Sequence, residues 1–329
     1  MATASRTALS VHECGDAFRA QAETFDYETA VSTEAVPIGL GDFDELAWAW
    51  IDETSTEVAP QSTPASDPRV RFRGQVVVLL PALNEEPAIG SVLDRVPIGR
   101  LRALGYDVEV WVVDGQSTDR TMVVAREKGA RTYVQRGSGK GNGVRQALDH
   151  ILAQLPPGIG PGHRVFIMLD ADGTYRAEDI PMFVEALESG AEVVLGTRLQ
   201  GSIADGAISD MNRLGNRLLS RLASLLFHAP VTDVCTGMWG FREDVLETFG
   251  LVATGFDLEA DLFASACERG IRVHEIPIAY DCRVGEPKLV PLRTGITIAW
   301  RLLMRRLNRP PIESRRIRPI SAANWEESA

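Results

Sequence analysis

Short apolar runs alternate with amphipathic segments along the chain from residue 74 onward. Runs of this kind, bounded by polar or turn-forming residues, are typical of buried parallel strands. The strand candidates lie at 75–80, 108–113, 132–134, 165–169 and 192–195. Helical spacing is found between them, at 87–96, in a segment that ends at 128 and in another that ends near 155. This alternation predicts an α/β fold with a single, mostly parallel sheet and helices on both faces.

The two ends of the chain differ from this middle part. Residues 1–72 show weak periodicity and end in a stretch rich in Pro, Ser and Thr, which predicts an extension and a linker. Thirteen Asp or Glu oppose three Arg within residues 1–70, whereas nine Lys or Arg oppose one Glu within residues 288–320. We therefore divide the chain into an acidic extension, a central domain at 73–288 and a basic C-terminal helix and tail at 289–329.

Composition narrows the range of functions. The net charge of −11 argues against nucleic-acid binding. Four cysteines lie far apart, so they suggest neither a zinc site nor a disulfide framework, and a reducing cytosol fits. The N-terminus lacks the apolar region of a signal peptide, and no stretch reaches roughly 18 uncharged apolar residues. We expect a cytoplasmic protein without a membrane span.

Polar loops follow the predicted strands. Residues 81–85 follow the first strand, Asp114 closes the second, and a glycine-rich loop that contains Lys140 comes after the third. Asp170 and Asp172 come directly after the fourth strand. Open α/β sheets bind their ligands at the carboxyl ends of the strands, where these loops meet. The sequence therefore predicts a nucleotide at this edge of the sheet.

Asp170 and Asp172 are the candidate metal ligands. Residues i and i+2 of an extended segment point the same way, so both carboxylates can face one cation. Mg²⁺ and Mn²⁺ prefer such oxygen ligands, and a metal held in this way can also bind a diphosphate. The alternative is an ordinary Asx turn that closes the strand.

The other loop residues also suit a nucleotide. Asp114 can accept a hydrogen bond from a base or a ribose, and Glu85 from a ribose hydroxyl; capping by Asn84 and by the 117–119 run is the alternative. Lys140, between glycines, offers a mobile cation for a phosphate or a base, unless its loop is only a flexible turn. That loop lacks the spacing of a nucleoside triphosphatase phosphate loop or of a dinucleotide fingerprint, so both of those classes are disfavoured.

Five motifs in order carry a family resemblance. They are Pro81-Ala-Leu-Asn-Glu85, Val113-Asp-Gly-Gln-Ser-Thr-Asp119, Gly139-Lys-Gly141, Asp170-Ala-Asp172 and Gly196-Thr-Arg198. Together they resemble family 2 glycosyltransferases with the Rossmann-like GT-A fold, and among these the polyprenyl-phosphate hexose synthases. Further matches are Asp233-Val-Cys-Thr-Gly237 and Arg283-Val-Gly-Glu-Pro-Lys-Leu289. The resemblance covers roughly residues 75–308 and leaves the N-terminal extension unexplained.

The resemblance implies a metal-dependent, inverting hexosyltransferase whose donor is a UDP- or GDP-linked sugar. The implied donor-binding residues are Pro81, Ala82, Leu83, Asn84, Glu85, Asp114, Gly139, Lys140, Asp170, Ala171 and Asp172. Within this set Asp114 would read the base, and Asp172 would bind the donor through Mg²⁺ or Mn²⁺. Gly115 stands where many relatives have a second Asp, and Thr174 or Tyr175 where they have a Gln or another polar residue. The base and the third metal ligand therefore stay open.

Cations in the second half of the chain are candidates for binding an acceptor phosphate. They are Arg198, Arg283 and Lys288, while an arginine stripe at 213, 217 and 221 lies on one predicted helix. A phosphate acceptor is largely a dianion at neutral pH and needs no general base. A hydroxyl acceptor would need one, and we favour Asp233 over Asp257, Glu259 and Asp261. The catalytic candidates are thus Asp170, Asp172, Asp233 and Arg198, with ordering of its own loop as the alternative role of Asp233.

The segment 289–307 favours a lipid acceptor. One face of the predicted helix carries Leu292, Ile296, Ala299, Leu303 and Leu307, and Trp300 adds an interfacial anchor. The positive flank is formed by Arg293, Arg301, Arg305, Arg306 and Arg309. Such a helix suits an anionic membrane surface, and packing on the domain with the arginines in water is the alternative.

We therefore expect a polyprenyl phosphate acceptor and a peripheral position at the inner face of the membrane. Two other classes remain open. One is a soluble transferase with a small phosphorylated or hydroxyl acceptor. The other is a non-catalytic scaffold that binds nucleotide sugars.

Overall fold

The structure is a computed structural model that describes residues 72–154, 159, 163–285 and 291–308. Nearly all of the predicted N-terminal extension, the candidate phosphate ligand Lys288 and the tail beyond residue 308 lie outside the described residues. The division of the chain into three parts stays a prediction.

Strands and helices alternate along the described chain. The strands are β1 (Gly74–Ala82), β2 (Tyr106–Asp114), β3 (Arg131–Val134), β4 (Arg164–Met168), β5 (Val193–Ile203), β6 (Trp239–Arg242) and β7 (Val273–Tyr280). The helices are α1 (Glu86–Arg95), α2 (Ile98–Ala103), α3 (Thr121–Glu127), α4 (Lys140–Leu152), α5 (Ile180–Glu188), α6 (Asp210–Phe227), α7 (Glu243–Leu246), α8 (Leu258–Glu268) and α9 (Pro291–Leu307). The first five strands lie where the apolar runs predict them, although β5 extends well past residue 195.

The strands form one sheet in the order β3-β2-β1-β4-β6-β5-β7. β1 pairs in parallel with β2 and with β4, and β5 pairs in parallel with β7. Only β6, among the described strands, runs antiparallel to its neighbours, β4 and β5. The predicted α/β fold with a mostly parallel sheet is therefore confirmed.

Alternate residues of the central strands enter two separate apolar cores. Val77 and Leu79 of β1 pack with residues of α4 and α8 in one core. Val76 and Val78 of the same strand pack with residues of α1 and α5 in the other core. Side chains of a strand alternate between its two faces, so both faces of this sheet are covered by helices. This explains why the strands read as nearly continuous apolar runs.

The C-terminal helix α9 packs on the domain through its arginines. Arg301 Nε donates to Asp257 Oδ2 over 2.7 Å, and Arg306 Nε donates to the Leu226 carbonyl over 2.8 Å. Arg305 is buried, with Nε 3.1 Å from Asp261 Oδ1. For these three arginines the predicted positive flank facing a membrane is wrong, because the carboxylates and carbonyls that they bind belong to the domain. Arg293 is exposed, and Arg309 lies outside the described residues.

The apolar face of α9 consequently points outward. Its exposed side chains are Leu292, Ile296, Trp300, Leu303 and Leu307. Helix α6 packs against α9 and is arranged in the same way. Its buried face holds Asn216, Ser220, Ala223 and Phe227, while Met211, Leu214, Leu218 and Leu225 are exposed. No helix in the described part of the chain is long and apolar enough to span a bilayer.

A buried ion pair joins the start of β4 to α7. Arg164 Nε donates to Glu243 Oε1 over 2.7 Å, and Arg164 Nη1 donates to the carbonyls of Ile151 and Gln154 over 3.1 and 2.8 Å. The side chains of Arg164 and Glu243 are only 2% and 4% exposed. The pair therefore ties the end of α4, the start of β4 and the start of α7 together.

We expect Glu243→Ala to lower the free energy of unfolding by about 3–5 kcal/mol, because it leaves a buried guanidinium without its counter-ion. The adjacent Asp244 is the matched control, since it also lies in the first turn of α7 but pairs with Arg242 at the surface. Asp244→Ala should cost less than about 1 kcal/mol. Urea unfolding of both variants measures the difference, and equal losses would contradict the role given to the buried pair.

Candidate active site

A cavity of about 310 Å³ lies at the carboxyl ends of β1, β2 and β4. It is lined by most of the residues that the sequence singles out: Pro81, Ala82, Leu83, Glu85, Gly139, Lys140, Asp170, Ala171, Asp172, Arg198 and Arg283. It is also lined by Gly115, Gln135, Tyr175, Cys235, Phe256, Glu259, Tyr280 and Ile298. Asn84, Asp114 and Asp233 do not line it. Loops far apart in sequence thus meet around one cavity, as the shared sheet edge predicts.

Two cations each bridge two carboxylates at this cavity. Lys140 Nζ lies 2.5 Å from Asp170 Oδ1 and 2.5 Å from Glu259 Oε1. Arg283 binds Asp172 and Glu85 in the same way. Burial opposes the charge of Lys140, but the two carboxylates outweigh it and hold the pKa of Lys140 above its ordinary value. Burial raises the pKa of Glu259, and Lys140 only partly offsets this effect.

The glycine-rich loop brings Lys140 to the carboxylates by packing tightly against residues 253–255. Gly139 has φ +97°, and a Cβ there would lie 2.2 Å from the Thr254 carbonyl oxygen. The amide of Gly141 donates to the Gly255 carbonyl over 3.1 Å. Because only glycine accepts both the positive φ and the close approach, the loop's composition follows from this contact.

Asp114 and Asn84 order the loops at the edge of the cavity. Both carboxylate oxygens of Asp114 lie 3.1–3.2 Å from the Ser117 amide, and the carboxylate is buried. Asn84 Oδ1 accepts a hydrogen bond of 2.7 Å from the Thr118 amide. Both side chains therefore bind amides of the loop that follows β2. Asn84 does not cap α1, which begins after Glu85 and has no side-chain cap, and base reading by Asp114 stays a prediction. Gln135, one residue past β3, is the cavity residue that sequence reasoning missed at this end.

Asp233 is held by Arg198 and Asn216 and has no exposed surface. It accepts hydrogen bonds from the Arg198 amide, Nε and Nη2 over 2.7–2.9 Å, and from Asn216 Nδ2 over 2.6 Å. Burial raises the pKa of Asp233, but Arg198 and Asn216 outweigh burial and lower it. The guanidinium of Arg198 lies over the Tyr280 ring, 5.1 Å from its centroid. Asp233 therefore positions Arg198 at the cavity.

This geometry does not fit the general-base role that the sequence favours for Asp233. Asp257 accepts from Arg301, and Asp261 accepts from the amides of Val252 and Ala253. Of the four carboxylates considered, only Glu259 lines the cavity. Sequence spacing could not separate these four, because each lies close to a turn and only tertiary packing decides which one faces the cavity.

The carboxylate pair suits a divalent cation. Among the described residues there is no cluster of three or more His, Cys, Asp or Glu that could hold a metal alone. Mg²⁺ is commonly bound by one or two carboxylates together with substrate phosphates and water, so a cluster of three is not required. Thr174 fixes one oxygen of Asp172, since its amide and its hydroxyl donate to Oδ1 over 3.0 and 2.5 Å. The residues present therefore fit a metal that a diphosphate helps to coordinate.

The fold and the site together define a GT-A glycosyltransferase. The family model described as Glycosyl transferase family 2 matches residues 77–250, and the chain belongs to this family. A dolichyl-phosphate hexose transferase of Haloferax volcanii is 38% identical over 229 residues, which cover 68% of this chain and 90% of that protein. Glycosyltransferase AglJ of the same organism is 32% identical over 240 residues, covering 72% of this chain and 74% of that protein.

A solved structure supports the fold alone. Glucosyl-3-phosphoglycerate synthase from Mycobacterium tuberculosis, in complex with Mn²⁺, UDP and glucosyl-3-phosphoglycerate, superposes with a TM-score of 0.53. The match covers 70% of this chain and 80% of that chain, at 22% sequence identity. The predicted GT-A fold is thereby confirmed, whereas the predicted hexosyltransferase class is confirmed by the family match and the two relatives above.

We expect Asp233→Asn to lower the free energy of unfolding at neutral pH by about 3 kcal/mol, because Arg198 loses its buried counter-ion. The folded state lowers the pKa of Asp233, so its stabilisation is complete above the unfolded value near ~3.9 and is lost as pH falls through the lower, folded pKa. The difference in unfolding free energy between wild type and Asp233→Asn should therefore shrink only below about pH 4. Urea unfolding across pH 3–7 measures it.

Asp281→Asn is the control for this series. Asp281 pairs with Arg176 at the surface, and its loss should cost less than about 1 kcal/mol. If Asp233→Asn loses no more unfolding free energy than Asp281→Asn, the positioning role of Asp233 is contradicted.

Proposed function

We propose that the protein is a metal-dependent, inverting hexosyltransferase that moves a sugar from a nucleoside diphosphate to a polyprenyl phosphate at a membrane surface. One observation supports this most directly. The cavity that contains Asp170 and Asp172 is also lined by Arg198, by aromatic side chains and by Ile298 of α9. It thus offers oxygen ligands for a metal–diphosphate, a cation for a phosphate and an apolar wall for a lipid chain.

The chain's own residues divide the work on the donor. Asp170 and Asp172 would hold Mg²⁺ or Mn²⁺, which when bound supplies a Lewis acid for the charge of the departing diphosphate. Lys140 stands beside Asp170 and adds a positive charge at the same place. Glu85 lies at the first strand end, where a ribose hydroxyl would reach it.

The acceptor needs orientation more than activation. A phosphate monoester has its second pKa near ~6, so it is already nucleophilic at neutral pH. Arg198, fixed by Asp233, would hold this anion in line with the sugar. A hydroxyl acceptor would instead require a base, and Glu259, buried beside Lys140 with a raised pKa, is the carboxylate in position.

The inverted polarity of α6 and α9 supports the membrane location. Both helices bury polar or charged side chains beside apolar ones, Asn216 and Ser220 on α6 and Arg305 on α9, and both keep a row of large apolar side chains exposed. A helix that only covered a soluble domain would show the opposite arrangement. Arg217, Arg221 and Arg293 are exposed on the same two helices and would meet anionic lipid headgroups.

The proposed reaction is tested with labelled UDP-glucose and GDP-mannose and a short-chain polyprenyl phosphate. We expect transfer with Mn²⁺ or Mg²⁺, its loss in EDTA, and a fall of about 100-fold or more in Asp172→Asn, because several kcal/mol of charge stabilisation disappear. Asp94→Asn, at an exposed pair with Lys128, should keep full activity.

Three outcomes would contradict the proposal. Transfer to 3-phosphoglycerate but not to a polyprenyl phosphate would establish a soluble transferase with a small acceptor. Undiminished sugar transfer in EDTA would refute the requirement for a divalent metal. A protein that binds nucleotide sugars but transfers nothing to any acceptor would be the scaffold.

Membrane association is tested by flotation with vesicles that contain anionic lipid. We expect the wild type to float and the double variant Ile296→Glu/Trp300→Glu to lose at least about tenfold in affinity, since each apolar side chain contributes roughly 1.5–3 kcal/mol when buried. The matched control is Leu104→Glu/Val123→Glu, which charges two exposed apolar side chains outside α6 and α9. Wild type that stays at the bottom of the gradient, or equal loss in the control, would contradict the proposed surface.

A further inference from the structure

Arg283 occupies the space between two carboxylates that the proposed donor site needs. Its Nη1 lies 2.9 Å from Asp172 Oδ2 and its Nη2 lies 2.6 Å from Glu85 Oε1. The other oxygen of Asp172 is bound by Thr174. Asp172 Oδ2 is therefore the oxygen that a divalent cation would take, and a guanidinium already holds it.

Backbone contacts fix Arg283 at this place. The Val284 amide donates to the Asp172 carbonyl over 3.0 Å, and the Asp281 amide donates to the Thr174 carbonyl over 2.9 Å. The segment that follows β7 is thus hydrogen-bonded to the loop that carries the metal ligands. The backbone at Arg283 is therefore held beside Asp172.

The guanidinium has donors for one more anion. Glu85 holds Nη2, so a cation that took Asp172 Oδ2 would release Nη1 while the side chain stayed in the cavity. Arg283 Nε is buried and has no hydrogen-bond acceptor among the described residues. Among the described residues, loss of the Asp172 contact would leave the positive charge of Arg283 paired with Glu85. A phosphate oxyanion is the ligand that best replaces a carboxylate.

We propose that Arg283 is an internal counter-ion that competes with the divalent cation for Asp172 and, once displaced, binds the acceptor phosphate. Metal entry and acceptor binding are coupled through this one side chain. Both parts rest on the proposed function: the competition rests on its metal site, and the acceptor part rests on its phosphate acceptor. The coupling favours binding of the metal–donor complex before the acceptor and so limits acceptor binding to a site that is ready to react.

The competition is tested by Mn²⁺ titration of the full-length chain, with free Mn²⁺ measured by electron paramagnetic resonance. We expect Arg283→Gln to bind Mn²⁺ about tenfold tighter or more, because a unit positive charge and a competitor for Oδ2 are both removed. The Mn²⁺ affinity of Arg283→Lys should lie between those of wild type and Arg283→Gln, since an ammonium cannot span Asp172 and Glu85 as the planar guanidinium does. Arg176→Gln, which removes a nearby arginine that pairs with Asp281, should bind like wild type.

The coupling is tested by calorimetric titration with farnesyl phosphate, with and without Mn²⁺ and UDP. Wild type should bind it about tenfold tighter when Mn²⁺ and UDP are present, and Arg283→Gln should show no such gain. Circular dichroism checks that each variant is folded.

The outcomes separate the two ideas. If Asp172→Asn abolishes Mn²⁺ binding but Arg283→Gln binds no tighter than wild type, the counter-ion inference fails and the metal site stands. If neither wild type nor Arg283→Gln binds Mn²⁺, with or without UDP, both fail. If Mn²⁺ behaves as expected but farnesyl phosphate does not bind at all, the proposed lipid acceptor fails and the competition stands.

Discussion

The site depends on neutralising carboxylates that the fold crowds into one cavity. The four involved are Glu85, Asp170, Asp172 and Glu259, and all have side chains that are less than one-third exposed. Carboxylates that share one cavity repel one another strongly when water is partly excluded. Lys140 and Arg283, from two distant segments, each bridge one of the paired aspartates to one of the glutamates. Each carboxylate therefore has a cationic partner before any ligand enters, although two cations against four carboxylates leave an excess of negative charge. Every ligand must fit into, or displace part of, this arrangement.

The same requirement shapes the helices beside the cavity. Asp257 and Asp261 at the start of α8 are buried, and Arg301 and Arg305 of α9 form ion pairs with them. With Arg301, Arg305 and Arg306 committed inward, the outer face of α9 carries mainly large apolar side chains, and Arg293 is exposed beside them. Ile298, on the inner face of the same helix, lines the cavity. A single helix thus connects the reaction site with the apolar surface, which is the arrangement that a lipid-linked acceptor would use.

Much of the fold could be predicted from the sequence because its signals are local. A buried parallel strand must be apolar on both faces, so β1, β2 and β4 stand out as continuous runs. The loops after these strands share an edge by geometry, and this is why Lys140, Asp170 and Glu85 could be placed together. Two strands escaped prediction. The four residues of β6, one of them glycine, carry too little periodicity, and the edge strand β7 is interrupted by His274, Glu275 and Pro277.

The residue types and their order along the chain determined the α/β class, the cavity's position and the carboxylate couple, since each depends on contacts within a strand and the loop that follows it. Only the tertiary structure decided which polar group faces the cavity and which is satisfied elsewhere. It turned Asp233 toward Arg198, Asp114 toward the Ser117 amide and the arginines of α9 toward the domain. The physical reason is that a buried charge takes the best partner within reach, and the set of partners within reach exists only once distant segments have packed together.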